Sequence, residues 1–193
     1  MPHLTADAIV AAAHVVTALQ TVVSRRTSPL EPAVVTIGTI NGGSKANIIA
    51  DRVEMTGTVR TFNEDLWQQM PGLIQQVVTG TCGALGVQGT VEYIRGYPTT
   101  VNDARMAALV REAAVTVLGE EHVVYPELST GGEDMSFFLQ AVSGCFFFVG
   151  SQNQAKGAFH PHHHPEFEVD EDAMTTGVKV LVASALRYLG NPA

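Results

Sequence analysis

The chain has 193 residues, 46% hydrophobic and 16% charged, so it holds ample apolar material for a core and lacks the composition of a disordered chain. Eleven Lys and Arg against nineteen Asp and Glu leave a net charge of −8 and a pI near 5.2, a field that repels phosphate backbones and argues against a nucleic-acid partner. No uninterrupted apolar run approaches the ~20 residues of a bilayer span, and the first residues carry neither a basic nor an apolar leader segment. Membrane association is therefore not expected. Cys82 and Cys145 form no CxxC pair, which fits free thiols in a reducing, cytoplasmic compartment.

Length alone suggests about one to two domains. Thr5 is a candidate cap for a first helix, with Ile9, Ala12, Ala13, Val16, Leu19, Gln20 and Val23 at helical spacing. Arg25 and Arg26 suit its C-terminal dipole. After Pro29 and Pro32, residues 33–40 are rich in β-branched side chains and read as a strand running into the loop Asn41-Gly42-Gly43-Ser44. Residues 52–62 alternate, with Val53, Met55, Gly57 and Val59 on one face. Asn63 can cap a second helix whose stripe is Leu66, Met70, Leu73, Ile74, Val77, Val78 and Leu85, with a kink expected at Pro71-Gly72. Residues 90–97 read as a further strand.

The order is helix, strand, strand, helix, strand. A ferredoxin-like split β-α-β sandwich has one more strand before its first helix. Either this sheet has three strands, or its first strand lies upstream of Met1.

Beyond residue 100 the character changes, and a domain boundary is placed there, dividing residues 1–100 from 101–193. Asp103 opens a helix through Met106, Leu109, Val110, Ala113 and Val117. Residues 123–125 and the fully apolar 145–149 read as buried strands, residues 135–141 as a short helix, and Asp170 as the cap of a last helix through Val178, Leu181, Val182, Ala185 and Leu189. Helices alternating with buried strands indicate part of an α/β sheet.

Four of the seven histidines fall in His160-Pro161-His162-His163-His164. Imidazole is the commonest transition-metal ligand, but the same run also suits a solvated polar loop. A cupin site is excluded, because Glu166 follows too soon and a helix follows instead of strands. Ser129-Thr130-Gly131-Gly132-Glu133-Asp134 can line a substrate or simply start a helix, and it lacks the lysine of a P-loop. Arg60 can grip a carboxylate two-pronged, with Asn47 adding an amide bond, or it can be an ordinary strand residue.

Taken in order, Gly42-Gly43-x-x-x-Asn47-Ile48-Ile49-x-Asp51, Gly57-x-x-Arg60, Gly131-Gly132-Glu133-Asp134-Met135-Ser136 and His163-His164-Pro165-x-Phe167-x-x-Asp170-Glu171 resemble the dinuclear-metal amidohydrolases of metallopeptidase family M20. The resemblance is to the aminoacylase, hippurate hydrolase and indole-acetyl-amino-acid hydrolase branch, and it covers nearly the whole chain. It implies an α/β fold: a ferredoxin-like α+β lid domain that dimerises, followed by the C-terminal part of an α/β metallopeptidase catalytic domain. It also implies two divalent ions, usually zinc, with manganese, cobalt or nickel in some members. Position by position, His163 matches a metal ligand, Asn47 and Arg60 the lid residues that hold the substrate carboxylate, Gly131 and Gly132 a substrate-lining loop, and Glu133 and Asp134 acids near the site. The family's catalytic glutamate and other metal ligands precede the lid, so no catalytic residue is expected within these 193. Ala50 stands where the family usually has proline. The expected substrate is a small N-acyl amino acid or short peptide. The rival expectation is a non-catalytic lid-type dimerisation or interaction module.

Overall fold

Asp7, not Thr5, starts the first helix. Its Oδ1 accepts the N–H groups of Ile9 at 2.9 Å and Val10 at 3.2 Å, so one carboxylate satisfies two orphan donors at the positive end of the dipole. The Thr5 hydroxyl instead donates to the Ala6 carbonyl. The structure, a computed structural model, describes residues 1–190. It divides into two compact units: Met1–Thr99 with Ser129–Gly132, and Thr100–Leu128 with the residues from Glu133 on.

In the first unit, α1 (Ala8–Arg26) buries Ala8, Ala11, Ala12, Val15, Leu19 and Val22, a stripe rotated by one residue from the expected one. Ile9 is left 46% exposed. The doublets Val15-Val16 and Val22-Val23 explain the slip, since helical periodicity alone cannot choose between adjacent apolar stripes. Mean hydropathy also makes α1 long and apolar enough to cross a bilayer, which a search for uninterrupted apolar runs misses. Its buried stripe nonetheless forms part of the core.

Strands β1 (Ala33–Gly42) and β2 (Val53–Thr61) pair antiparallel, with Val35 opposite Val59, Ile40 opposite Met55 and an irregularity between Ile37 and Thr39. Helix α2 (Glu64–Ala84) starts at Asn63, whose Oδ1 accepts the Leu66 N–H at 2.9 Å. It runs unbroken through Pro71. A mid-helix proline costs ~3 kcal/mol, and burial of Leu66, Met70, Ile74, Val77 and Val78 on one face, at ~1.5–3 kcal/mol per side chain, outweighs it. The core joins these residues to Val15, Leu19, Val22 and Val35.

The strand expected over residues 90–97 is extended chain without a ladder. Its alternation is real: Val87, Val91 and Tyr93 pack on the core, while Gln88, Thr90 and Glu92 are exposed. Among the described residues β2 has β1 as its one ladder partner, so the segment has inward-facing side chains but no strand to bond to.

In the second unit, α3 (Ala104–Leu118) is capped by Asp103, whose Oδ1 accepts the Met106 N–H at 2.9 Å, and it ends on Gly119 at φ 91°. Helix α4 spans Met135–Ala141 and α5 spans Asp172–Gly190. Helices α3 and α5 pack on one another, with Ala113, Ala114 and Val180 buried and Arg187 paired with Glu112. The strands expected at 123–125 and 145–149 form no ladder. At Phe146 the Asn102 side chain stands in for a neighbouring strand, donating to the Phe146 carbonyl and accepting its N–H, both at 2.8 Å. The stripe of α5 expected to face inward is exposed instead, Leu181 at 59% and Leu189 at 72%. Strands buried on both faces need neighbours on both sides, and the described residues of this unit supply none.

Candidate functional site

Two groups of candidate residues form, one in each unit. In the first, β2 places Arg60 opposite Val34, half-buried. The Ser129–Gly132 loop belongs to this unit and brings Gly132 against Arg60. A Cβ on Gly132 would lie 3.1 Å from Arg60 Nη1 and 3.2 Å from Tyr97 Cδ2, so a side chain there would press on the guanidinium. Gly131 is less constrained; its N–H donates to Ser129 Oγ at 3.2 Å. Among the described residues Arg60 makes no ion pair. A half-buried cation without a counter-charge is costly, and its planar donor fork suits a carboxylate.

Asn47 lies exposed in the loop that leads into β2, and Arg60 sits seven residues beyond Val53 at the far end of that strand, about 23 Å along it at ~3.3 Å per residue. Tyr97 joins Arg60 and Gly132 although nothing in its local sequence marks it; only the return of the Ser129–Gly132 loop reveals it.

In the second unit, Glu133 and Asp134 lead into α4. The Glu133 carboxylate accepts the Met135 N–H at 3.2 Å, and its carbonyl accepts the hydroxyl of the fully buried Ser136 at 2.6 Å. Asp134 occupies the N-cap position but makes no side-chain capping bond. Glu133 is thus used in part for starting the helix.

The histidine loop is stapled at its base. The Lys156 ammonium donates to Asp170 Oδ1 and Asp172 Oδ2, each at 2.6 Å, and Asn153 Nδ2 donates to Asp170 Oδ2 at 2.6 Å. The bonds from Lys156 and then Asn153 pull the Asp170 carboxyl down to about 2, and the two carboxylates push the Lys156 ammonium up. Sequence reading passed over Lys156, since a lone lysine in a polar loop carries no local signal.

Within the loop, His163 is the one non-glycine described residue with positive φ, at 70°. Left-handed backbone costs a non-glycine residue ~1–2 kcal/mol, and such strain gathers at functional positions. His162 lies against Phe167, ring centroids 4.7 Å apart. His160, His164 and Glu166 bring three ligand-type atoms within 4.8 Å of one another. His160 Nε2 is 3.2 Å from Glu166 Oε2, and the His160 and His164 rings stack at 4.0 Å, 4° from parallel.

This trio does not fit a zinc centre. The Glu166 N–H donates to His164 Nδ1 at 3.1 Å, which leaves the neutral ring's proton on Nε2 and no free lone pair for an ion. Stacked rings also hold their in-plane lone pairs in two planes 4° from parallel, which do not meet at a common ion. Zinc takes four donors, about three of them from protein in a catalytic site. The residues described here do not complete one such site, still less two. Cys145 offers no substitute chemistry, because burial pushes its thiol up and a protonated thiol is a poor nucleophile and ligand.

Comparison with known proteins shows the family. The model of peptidase family M20/M25/M40 matches residues 9–187. N-acetyl-L-cysteine deacetylase of Bacillus subtilis is 37% identical over 189 residues, 98% of this chain and 44% of that protein. IAA-amino acid hydrolase ILR1-like 4 of Arabidopsis thaliana is 36% identical over 193 residues, again 98% of this chain and 44% of that protein. Among solved structures, the Bacillus subtilis YXEP protein, a dinuclear metal binding peptidase from the M20 family, superposes with a TM-score of 0.76 at 29% identity, covering 96% of this chain and 47% of that one. The chain spans about half the length of the curated relatives it matches. Its mixed helix and strand architecture is that of the solved M20 enzymes, and the chain belongs to peptidase family M20/M25/M40.

Proposed function

We propose that these 193 residues are the carboxylate-binding and one-ligand portion of a metal-dependent amidohydrolase that cleaves an amide bond next to a free carboxylate. The observation that carries this reading is the half-buried Arg60 guanidinium, held without an acidic partner beside the bare backbone of Gly132. A substrate carboxylate supplies the missing charge through a two-pronged, charge-assisted contact. Gly131 and Gly132 leave room for the substrate backbone. The relatives named for acetyl-cysteine and for an indole-acetyl amino acid support an N-acyl amino acid as the substrate class.

His163 is proposed as one metal ligand, the position in the histidine loop with left-handed backbone. The described donors do not compose a two-ion centre, so no hydrolytic step is assigned to them. The 193-residue chain is therefore expected to show no turnover of N-acetyl amino acids or hippurate with added zinc, manganese or cobalt. Turnover abolished by a chelator and restored by metal would overturn the reading. The same reading includes a homodimer through the first unit, as in a lid-type domain. Sedimentation as a monomer alone at micromolar concentration would remove that part.

A further inference from the structure

Tyr97 stands beside Arg60, and several restraints hold it there. Proline confines the residue before it to extended backbone, and Pro98 is buried. One residue further on, the Thr99 hydroxyl donates to the Thr61 carbonyl at 3.4 Å, which ties the 97–99 segment to the end of β2 next to Arg60. Tyr97 is nonetheless 47% exposed. Arg60 Nη1 and Tyr97 Cδ2 lie 3.1 Å and 3.2 Å from one point, the position a Cβ would take on Gly132, so a cation and an aromatic edge converge on the same bare backbone. A ring held on restrained backbone has little freedom left to lose when a ligand covers it, which is the condition for a useful contact.

We propose that Tyr97 is a specificity-determining residue, whose ring receives the side chain of the N-acyl amino acid that Arg60 holds by its carboxylate and selects apolar side chains, aromatic ones above all. The proposal rests on the carboxylate reading at Arg60 and adds the class of amino acid to it. In an α-amino acid the side chain branches from the carbon that bears the carboxylate. A carboxylate seated on the guanidinium therefore brings its own side chain within reach of whatever stands beside the guanidinium, and that neighbour is Tyr97. Apolar atoms that cover the ring take apolar surface of both partners out of water, and an aromatic side chain adds an offset or edge-to-face contact beyond its area. A cationic side chain meets instead the positive charge of Arg60, which has no ion pair among the described residues, and is disfavoured by repulsion. Glycine derivatives have the carboxylate contact and nothing for the ring to hold.

The test titrates the 193-residue chain with N-acetylglycine, N-acetylphenylalanine and N-acetyllysine, with affinities and the Tyr97 ring resonances read by NMR. N-acetylphenylalanine should bind about tenfold more tightly than N-acetylglycine, a difference of ~1.4 kcal/mol, and its ring current should move the Tyr97 ring signals. N-acetyllysine should bind no more tightly than N-acetylglycine. Tyr97→Ala should bring the phenylalanine-to-glycine ratio below about twofold, ~0.4 kcal/mol, and leave the affinity for N-acetylglycine nearly unchanged. Tyr97→Phe keeps the ring and should keep the ratio. Equal affinities for the phenylalanine and glycine derivatives in the native chain, or a ratio unchanged in Tyr97→Ala, would overturn the role of Tyr97 and leave the Arg60 reading in place. So would an equal loss of both ligands in Tyr97→Ala, loss of the ratio in Tyr97→Phe, or N-acetyllysine binding as tightly as N-acetylphenylalanine. No saturable binding of any of the three, or binding undiminished in Arg60→Gln, would overturn the carboxylate reading and this proposal with it.

Discussion

Replacing Gly132 by alanine tests the carboxylate site most directly. The added Cβ would stand 3.1 Å from Arg60 Nη1 and 3.2 Å from the Tyr97 ring, against a comfortable separation of ~3.5–4.0 Å. The neighbours must give by a few tenths of an ångström. Arg60 is the more compliant, so its guanidinium shifts. A hydrogen bond to a charged group is worth ~1.5–3 kcal/mol; losing about half of that, ~1.4 kcal/mol, is roughly tenfold in affinity. Gly131→Ala is the matched control, because its Cβ would meet Ser129 Oγ alone, at 3.3 Å. Titrating the chain with N-acetyl amino acids, followed by NMR, should give about tenfold weaker binding for Gly132→Ala and little change for Gly131→Ala. Melting temperatures should barely differ, since a surface change away from the core moves stability by ~0.5 kcal/mol or less. Equal affinities in the two variants, or unchanged binding in Gly132→Ala, would refute the assignment of Arg60.

In a full-length enzyme containing this half, His163→Ala should remove one metal equivalent and nearly all turnover while His160→Ala does little; metal analysis beside activity checks this, and equal effects would reject His163 as the ligand. Met70, 0% exposed and among the largest fully buried side chains, should cost ~2–5 kcal/mol when cut to alanine, read as a lower urea midpoint for the first unit. Asp170 is lowered from 3.8 to about 2, so its stabilising contribution is complete above pH ~4 and fades as pH falls toward 2; the melting-temperature gap between the native chain and Asp170→Asn should close over that interval and stay constant from pH 5 to 8.

Local chemistry was legible and non-local pairing was not. Asn63 and Asp103 cap their helices through bonds spanning three residues, so the short-range signal sufficed, and the short helix read at 135–141 is α4. The first helix shows the limit of periodicity. Thr5 and Asp7 are both acceptable caps, and adjacent apolar doublets left the buried stripe undecided by one position. The histidine cluster was visible as composition, yet which ring stacks, which accepts a backbone proton and which sits at φ 70° depends on how the loop closes on Lys156 and Asp170. Gly132 beside Arg60 joins residues 72 positions apart, a distance no local pattern encodes.

The remaining disagreements share one cause. The segments at 90–97, 123–125 and 145–149 carry strand-like sequence but make no ladder, and α5 turns Val178, Leu181, Val182 and Leu189 outward. Alternation and apolar runs record which side chains are to be buried; the hydrogen-bond partner that turns an extended segment into a strand lies elsewhere in the chain or in another. In the first unit the side-chain half of that record is fulfilled, since Val91 and Tyr93 reach the core, and the backbone half is not. In the second, the α5 stripe is left mostly exposed, although burying each such side chain is worth ~1.5–3 kcal/mol. Both patterns leave an interaction half made among the described residues. On the proposed reading, the Arg60 guanidinium, which has no ion-pair partner among the described residues, belongs to the same class: the other half of its interaction is a substrate carboxylate.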